Sequence, residues 1–341
     1  MKKLSVHEAV GQTLCHDVTA ITKSGDKGPL FRRGHVIRAE DVEKLLDIGK
    51  SHIFIWEPEA DEVHEEDAAR LVVEELLLGS GLDADGPCEG KYRLFSTVDG
   101  LLRVNSAGLK KLNSVEDYTI ASLPDRMPVT KGCTLAGIRI VPLVTKRENV
   151  LLAVQLAKAY SPIFEVKQYS PLPTGIIITG SEIFYGRVED AFYPVLEKKL
   201  KCYGANLLGV TKCPDSVETI LLSLEAFIKQ GAKLVLFTGG MSVDADDVTP
   251  LAIRQSGAKM LCRGVAMQPG NMLTAAYLGK TLLLGVPGAA LHFETTSLDI
   301  FLPRIFTNER LKKEDFQSLG EGGLCLGCKV CQYPKCYFGR K

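Results

Sequence analysis

The sequence predicts an α/β protein: a three-layer sandwich on a mostly parallel sheet, preceded by a smaller N-terminal mixed α+β region. Three observations carry that expectation. From residue 171 onward, short β-branched runs alternate with amphipathic stretches, a strand–helix–strand–helix–strand order that demands right-handed parallel crossovers. The runs themselves, PLPTGIIITG and AKLVLFTGG, are apolar on successive residues, as strands buried on both faces must be. The helical stretches stop at Gly204 and Gly231, directly before the next strand.

The elements follow in order. Residues 1–60 form a mixed α/β segment, in which RRGHVIRAEDVEKLLDIG predicts a helix with Val42, Leu45, Leu46 and Ile48 inward and Gly49 as its stop, followed by the strand SHIFIWE. Residues 61–170 form a β-rich middle region with a linker helix and an acidic exit bearing Gly and Pro, and its pattern does not specify a topology. Residues 171–306 are the α/β domain. After its first strand comes a helix with Phe192, Val195, Leu196, Leu200 and Tyr203 on one face, and Cys202 is expected on the buried side as a small hydrophobe. ANLLGVT is the second strand. The next helix starts at Asp215 as its expected cap and buries Ile220, Leu221, Leu224, Phe227 and Ile228. AKLVLFTGG, the helix TPLAIRQSG begun by Thr249 as cap and Pro250, three short strands between 259 and 285, and a helix from about 289 complete the domain. Residues 307–341 are a charged, then cysteine-rich tail without an apolar stripe, of which residues 320–341 are expected to be dispensable for the core.

Composition narrows the function. The 341 residues hold 45% hydrophobic and 24% charged side chains, an ordinary globular balance. Lys+Arg and Asp+Glu both total 41, so no global field favours nucleic acid or an anionic membrane. No run of 18 apolar residues marks a membrane span, and His7 and Glu8 interrupt any signal-peptide core, so the cytoplasm is expected. Ten cysteines are too sparse for a disulfide scaffold, and four of them crowd into the last seventeen residues.

In a parallel sheet, ligands bind beyond the carboxyl ends of the strands. Three stretches fall there: TGSEIFYG (179–186), TGGMSVDADDVTP (238–250) and GVPGAA (285–290). Gly239 and Gly240 lack a Cβ, so a ligand can lie on their N–H groups, and the following helix start suits phosphate. Asp244, Asp246 and Asp247 would repel that phosphate unless a Mg²⁺ ion bridges the two.

These motifs resemble those of the molybdopterin-binding domain shared by molybdopterin molybdenumtransferases, molybdopterin adenylyltransferases and competence-damage-inducible proteins. The resemblance covers residues 173–306. TGSEI resembles the family's Thr-Gly-Asp-Glu, with Ser181 at the usual Asp. GGMSV is similar to the Gly-Gly-Val-Ser-Val of the molybdenumtransferases, and DDVTP to the Asp-Val-Thr-Pro of the adenylyltransferases. QPG (268–270) and GVPGAA match the family's Pro-Gly and Leu-Pro-Gly-Asn-Pro. EAVGQTL and RRGHVIRAEDVEKLLDIG resemble the start of a molybdenumtransferase, and STVDGLL, with Asp99, faintly resembles another of its motifs.

The resemblance implies molybdopterin or its adenylylated form as ligand, held by Thr179, Gly180, Gly239, Gly240, Ser242, Pro269, Gly270, Pro287 and Gly288. It implies Mg²⁺ on Asp247, with Asp247, Glu182 and Asp215 as catalytic residues, and a homodimer. Three activities stay open. The chain inserts molybdate or tungstate into adenylylated molybdopterin with release of AMP, or adenylylates molybdopterin, or carries or senses the cofactor without catalysis. Gln268 and Asn271 stand where the molybdenumtransferases have lysines, and Ala289 where they have Asn, changes that weigh on oxyanion handling more than on pterin binding.

The tail spaces Cys325, Cys328, Cys331 and Cys336 as C-x2-C-x2-C-x4-C. The run is similar to a ferredoxin's, with the last gap one residue longer and Tyr337 in place of proline, and four thiolates also suit zinc. A metal, zinc or iron–sulfur, is expected there.

Overall fold

A computed structural model describes residues 2–21, 27–56, 59–88, 90–241 and 248–340. The chain forms two compact units: one of residues 1–98, 103–125 and 131–166, the other of residues 99–102, 126–130 and 167–341.

In the first unit, the strands Lys2–Ser5 and His52–Ile55 pair antiparallel. They close over a small core of Val6, Leu14, Val18, Ile37, Val42, Leu45 and Ile53. Leu46, expected inward, is exposed. The middle region, unspecified by its sequence, is a four-stranded antiparallel sheet ordered Leu82–Cys88, Lys91–Ser96, Thr134–Ile140, Tyr118–Ser122. Alternating burial along Lys91–Ser96 and Thr134–Ile140 shows one face turned inward. The helix Glu65–Leu76 packs on that sheet and on the helix Arg147–Ala159. Glu65, at the start of the first of these helices, is 5% exposed. Its Oε2 has no hydrogen-bond partner among the described residues. Burial pushes its carboxyl above the usual glutamate range, opposed by Arg139. A raised carboxyl pKa favours folding while the group is protonated, and that advantage fades as pH rises through the raised value. Glu65→Gln should therefore match the parent near about pH 4 and be the more stable of the two at neutral pH, in urea melts compared across pH; a gap that shrinks as pH rises would contradict this.

The second unit holds the predicted α/β sandwich, and its elements are numbered here: β1 Pro173–Thr179, α1 Ser181–Phe184, α2 Phe192–Lys201, β2 Asn206–Cys213, α3 Val217–Lys229, β3 Leu234–Thr238, α4 Thr249–Gln255, β4 Lys259–Arg263, β5 Thr274–Leu278, β6 Thr281–Gly285, α5 Ser297–Phe306 and α6 Lys313–Gln317. The six strands run in the order β2-β1-β3-β6-β5-β4. β2, β1, β3 and β6 are parallel, and β5 is antiparallel to both of its neighbours. Successive residues of each central strand feed opposite layers. Ile176, Ile178, Leu234 and Leu236 join Leu196, Leu200, Phe301 and Phe306 from α2 and α5. Ile177, Val235 and Phe237 join Ile220, Leu224, Phe227 and Ile253 from α3 and α4. That division is why the strands read as apolar at every position.

Two packing expectations fail in this unit. Cys202 is exposed, at the C-cap position just past the last residue of α2. The tail is part of the core: Leu311, Phe316, Leu319 and Phe338 belong to the same cluster as Phe301 and Leu302. Phe316 stacks on Phe301 at 4.3 Å between ring centroids. The tail hydrophobes stand apart without a sustained helical or strand spacing, so no stripe announces them.

Candidate functional site

The carboxyl ends of β1, β3 and β6 lie side by side, and the sheet's connections diverge between β1 and β3, which makes this edge the switch point of the fold. Hydroxyls stitch the two tips together. Thr179 Oγ1 lies 2.9 Å from the Thr238 carbonyl oxygen, to which it donates, and 2.9 Å from Thr249 Oγ1. Thr249 was expected to cap α4. It is instead the helix's first residue, wholly buried, with Val248 at the cap position, and its hydroxyl turns to the strand tips. The helix runs only seven residues, so the seam rests on hydroxyls more than on a helix dipole. Thr238 Oγ1 is buried and without a hydrogen-bond partner among the described residues.

Two glycines follow β3 in the left-handed region, Gly239 at φ +78° and Gly240 at φ +51°. A Cβ on Gly239 would lie 2.0 Å from the Thr179 carbonyl oxygen. Only glycine lets the tips of β1 and β3 approach this closely. Gly239 and Gly240 line a cavity of about 290 Å³ with Phe192, Met241, Met272, Val286 and Gly288.

Asp215 does not cap its own helix, whose N-cap is Ser216. Its Oδ2 accepts the Ser181 N–H at 2.7 Å, and its own N–H donates to Ser181 Oγ at 3.2 Å. This reciprocal clasp fixes the turn Gly180–Ser181 at the end of β1 and accounts for serine in that position. Gly180, at φ +142°, lies under Glu182: a Cβ there would meet Glu182 Oε1 at 2.7 Å, and the glutamate carboxylate is exposed.

The 264–273 connection hangs at the same edge, because Thr274 pairs with Gly285 at the start of β5. Ser297, the first residue of α5, holds it by donating its N–H to the Pro269 carbonyl at 3.2 Å and its hydroxyl to the Gly270 carbonyl at 2.5 Å. Pro287 precedes the 3-10 turn Gly288–Leu291, and its carbonyl accepts the Ala290 N–H at 3.0 Å. Thus Gly239, Gly240 and Gly288 share one cavity, Thr179, Gly180, Glu182 and Asp215 organise its β1 side, and Pro269 and Gly270 dock on α5. Ser242, Asp244, Asp246 and Asp247 lie outside the described residues. Sequence reasoning missed Ser297, Phe192 and Met272, which carry no motif, and Met241, which stands inside GGMSV; the threonine of DDVTP was the available signal for Thr249.

Other chemistry in the chain is quieter. Burial raises the Cys213 thiol and pushes Cys262 to about 11, so neither is an activated nucleophile. A larger cavity, about 1000 Å³, lies on the first unit's antiparallel sheet with Lys91, Arg93, Tyr118 and Arg139 in its lining. Arg93 there is paired with Asp85. Among the described residues no group of three or more His, Cys, Asp or Glu side chains is set to hold a metal ion, and no helix is long and apolar enough to cross a membrane.

Comparison with known proteins meets the same stretch. Residues 175–307 match the family model described as a probable molybdopterin binding domain. Residues 3–57 match one described as a domain of unknown function (DUF8806). The molybdopterin molybdenumtransferase of Synechococcus elongatus is 28% identical over 172 residues, 47% of this chain and 42% of that protein. A CinA-like protein of Mycobacterium avium is 37% identical over 75 residues, 22% of this chain and 17% of its own. The chain thus covers less than half the length of the curated relatives it matches. Among solved structures, the molybdopterin biosynthesis enzyme MoaB of Thermus thermophilus aligns over 39% of this chain and 91% of its own, with 20% identity and a TM-score of 0.33. The molybdopterin biosynthesis moea protein of Pyrococcus horikosii aligns over 72% and 80%, with 15% identity and a TM-score of 0.34. Residues 175–307 are thus similar to a probable molybdopterin binding domain, and the strand-tip motifs fall within the matched stretch.

Proposed function

We propose that the cleft at the tips of β1, β3 and β6 binds molybdopterin, in its adenylylated form, during maturation of a molybdenum or tungsten cofactor. The observation that carries this reading is the seam of Thr179, Thr238 and Thr249, which holds Gly239 and Gly240 side by side on the cavity. Backbone N–H groups without side chains, on a rigid edge, are what a phosphate-bearing ligand needs. Thr238 Oγ1, buried and unpartnered among the described residues, adds a polar group of the kind that calls for a ligand or water.

As a transferase the chain takes adenylylated molybdopterin and molybdate or tungstate and releases AMP. Gly239, Gly240 and Ser242 seat the phosphates, and Thr179, Gly180, Pro269, Gly270, Pro287 and Gly288 shape the cleft around the pterin. Asp215 positions the Ser181 turn, and Asp247 with Glu182 holds Mg²⁺. Glu182 fits that duty, being an exposed hard-oxygen donor beside Gly180. The ion, when bound, offsets phosphate charge. Cys325, Cys328, Cys331 and Cys336 are a second metal-binding set, for zinc or an iron–sulfur cluster. A cytoplasmic homodimer completes the reading, and sedimentation of a monomer at working concentration would remove the dimer from it.

A second reading, a carrier or sensor, is favoured by Gln268: its backbone N–H and carbonyl are both taken up by the tail, and its side chain lacks the charge of the family's lysine. Adenylyl transfer is the third, favoured by DDVTP. One set of assays separates them. With adenylylated molybdopterin, molybdate and Mg²⁺, AMP release identifies the transferase, while tight pterin binding without AMP identifies the carrier. Pyrophosphate released from ATP and molybdopterin identifies the adenylyltransferase, and no pterin binding at all overturns the proposal. Asp215→Ala removes the clasp on Ser181, so pterin affinity should fall by about 10-fold, with a stability loss of about 1 kcal/mol; unchanged affinity would take Asp215 out of the site.

A further inference from the structure

Four cysteines left idle by the pterin cleft surround a cavity of their own. Cys325, Cys328, Cys331 and Cys336 all line a space of about 240 Å³, together with His292, Thr295, Lys329 and Tyr333. The segment that carries them is folded down. Cys325 and Cys336 pack against the core cluster, Phe338 is 2% exposed, and the Tyr333 hydroxyl donates to the Asp299 carbonyl at 3.0 Å. Two of the sulfurs already have polar neighbours: the Gly327 N–H donates to Cys325 Sγ at 3.5 Å, and Thr295 Oγ1 lies 3.2 Å from Cys331 Sγ. N–H and O–H groups beside sulfur tune the metals that cysteines hold.

The choice between zinc and a cluster follows from spacing. Zinc sites of four cysteines commonly set two pairs well apart in sequence. Here four cysteines fall within twelve residues, and all four line one cavity. An iron–sulfur cluster is an extended body, ligated at its corners, and a ring of thiols around a void is the arrangement that receives it.

Backbone hydrogen bonds tie the cysteine segment to the Gln268–Gly270 turn. Gln268 donates its N–H to the Gly323 carbonyl and accepts the Cys325 N–H, each at 2.8 Å, which makes a parallel bridge to Leu324. On its other side, the Pro269–Gly270 turn is held by Ser297, two residues from Thr295, the partner of Cys331. The turn is thus gripped between two segments, each touching a cysteine sulfur.

We propose that Cys325, Cys328, Cys331 and Cys336 hold an iron–sulfur cluster, and that the loaded cluster fixes the Gln268–Gly270 turn, so that pterin binding depends on loading. The second clause rests on the pterin reading of the strand-tip cleft.

The test uses the full chain, purified without oxygen and reconstituted with ferrous iron and sulfide. About four iron and four sulfide per chain, with visible charge-transfer absorption, are expected. Cys328→Ser should lose them; its parent thiol is exposed, so circular dichroism should stay unchanged. Zinc without sulfide, or neither metal, overturns the cluster. Hydrogen exchange at the Gln268 and Cys325 amides should be about 10-fold slower in the loaded parent than in Cys328→Ser, and equal exchange overturns the coupling. Molybdopterin titration should show about 10-fold weaker binding in Cys328→Ser. If the loaded parent binds no molybdopterin, the pterin reading fails, while iron content and exchange still decide the cluster and its grip on the turn.

Discussion

Phe338→Ala should destabilise the full chain by about 3–5 kcal/mol, the cost of emptying an aromatic site in a packed core. Phe338 is 2% exposed and shares one cluster with Phe301, Phe306, Phe316 and Leu319. The neighbouring backbone has little room to collapse into the void. Arg340 O lies 2.0 Å from where a Cβ on Gly322 would stand, and Ile300 Cδ1 lies 2.5 Å from where one on Gly339 would stand. Truncation after Leu319 should cost more still, because it also removes the bridge to Gln268. Urea unfolding followed by near-UV circular dichroism reads the loss. A change below about 1 kcal/mol would show a tail merely resting on the surface.

The second large effect is expected at Gly239. An alanine there meets two penalties: left-handed backbone costs about 1–2 kcal/mol, and its Cβ runs into the Thr179 carbonyl oxygen. That obstacle is backbone in a central strand and cannot swing aside. The tips of β1 and β3 must part, and the Thr179–Thr238 bond goes with them. We expect a total loss of roughly 2–4 kcal/mol and a fall in molybdopterin affinity of at least ~10-fold. Gly288→Ala is the control. It borders the same cavity, but open space surrounds its Cβ position, so stability should stay within about 0.5 kcal/mol. If Gly239→Ala behaves like Gly288→Ala, the tight seam is not what organises the cleft.

The parts legible in the sequence are those set by local periodicity. Ile176–Ile178 and Leu234–Phe237 announce buried strands because each strand feeds two layers, and glycines after strands announce tips. What stayed hidden depends on partners remote in sequence. Asp215 sits before a helix, so it reads as that helix's cap, yet its carboxylate serves Ser181, 34 positions earlier. Phe316, Leu319 and Phe338 form no stripe in the sequence, and only the finished core gives them a place. The antiparallel middle sheet was obscured by turns and a register shift between Thr134 and Ala136.

The second unit draws on more than one stretch of chain. Residues 99–102 and 126–130 belong to it, and the Tyr169 hydroxyl donates to the Gly100 carbonyl at 3.0 Å. During synthesis these two pieces leave the ribosome well before the residues they join, and must wait for them. A gene segment encoding 167–341 alone would lack both. Shuffling of exons or domains would therefore transplant this α/β unit poorly unless the recipient carried matching pieces upstream, which ties its inheritance to the sequence that precedes it.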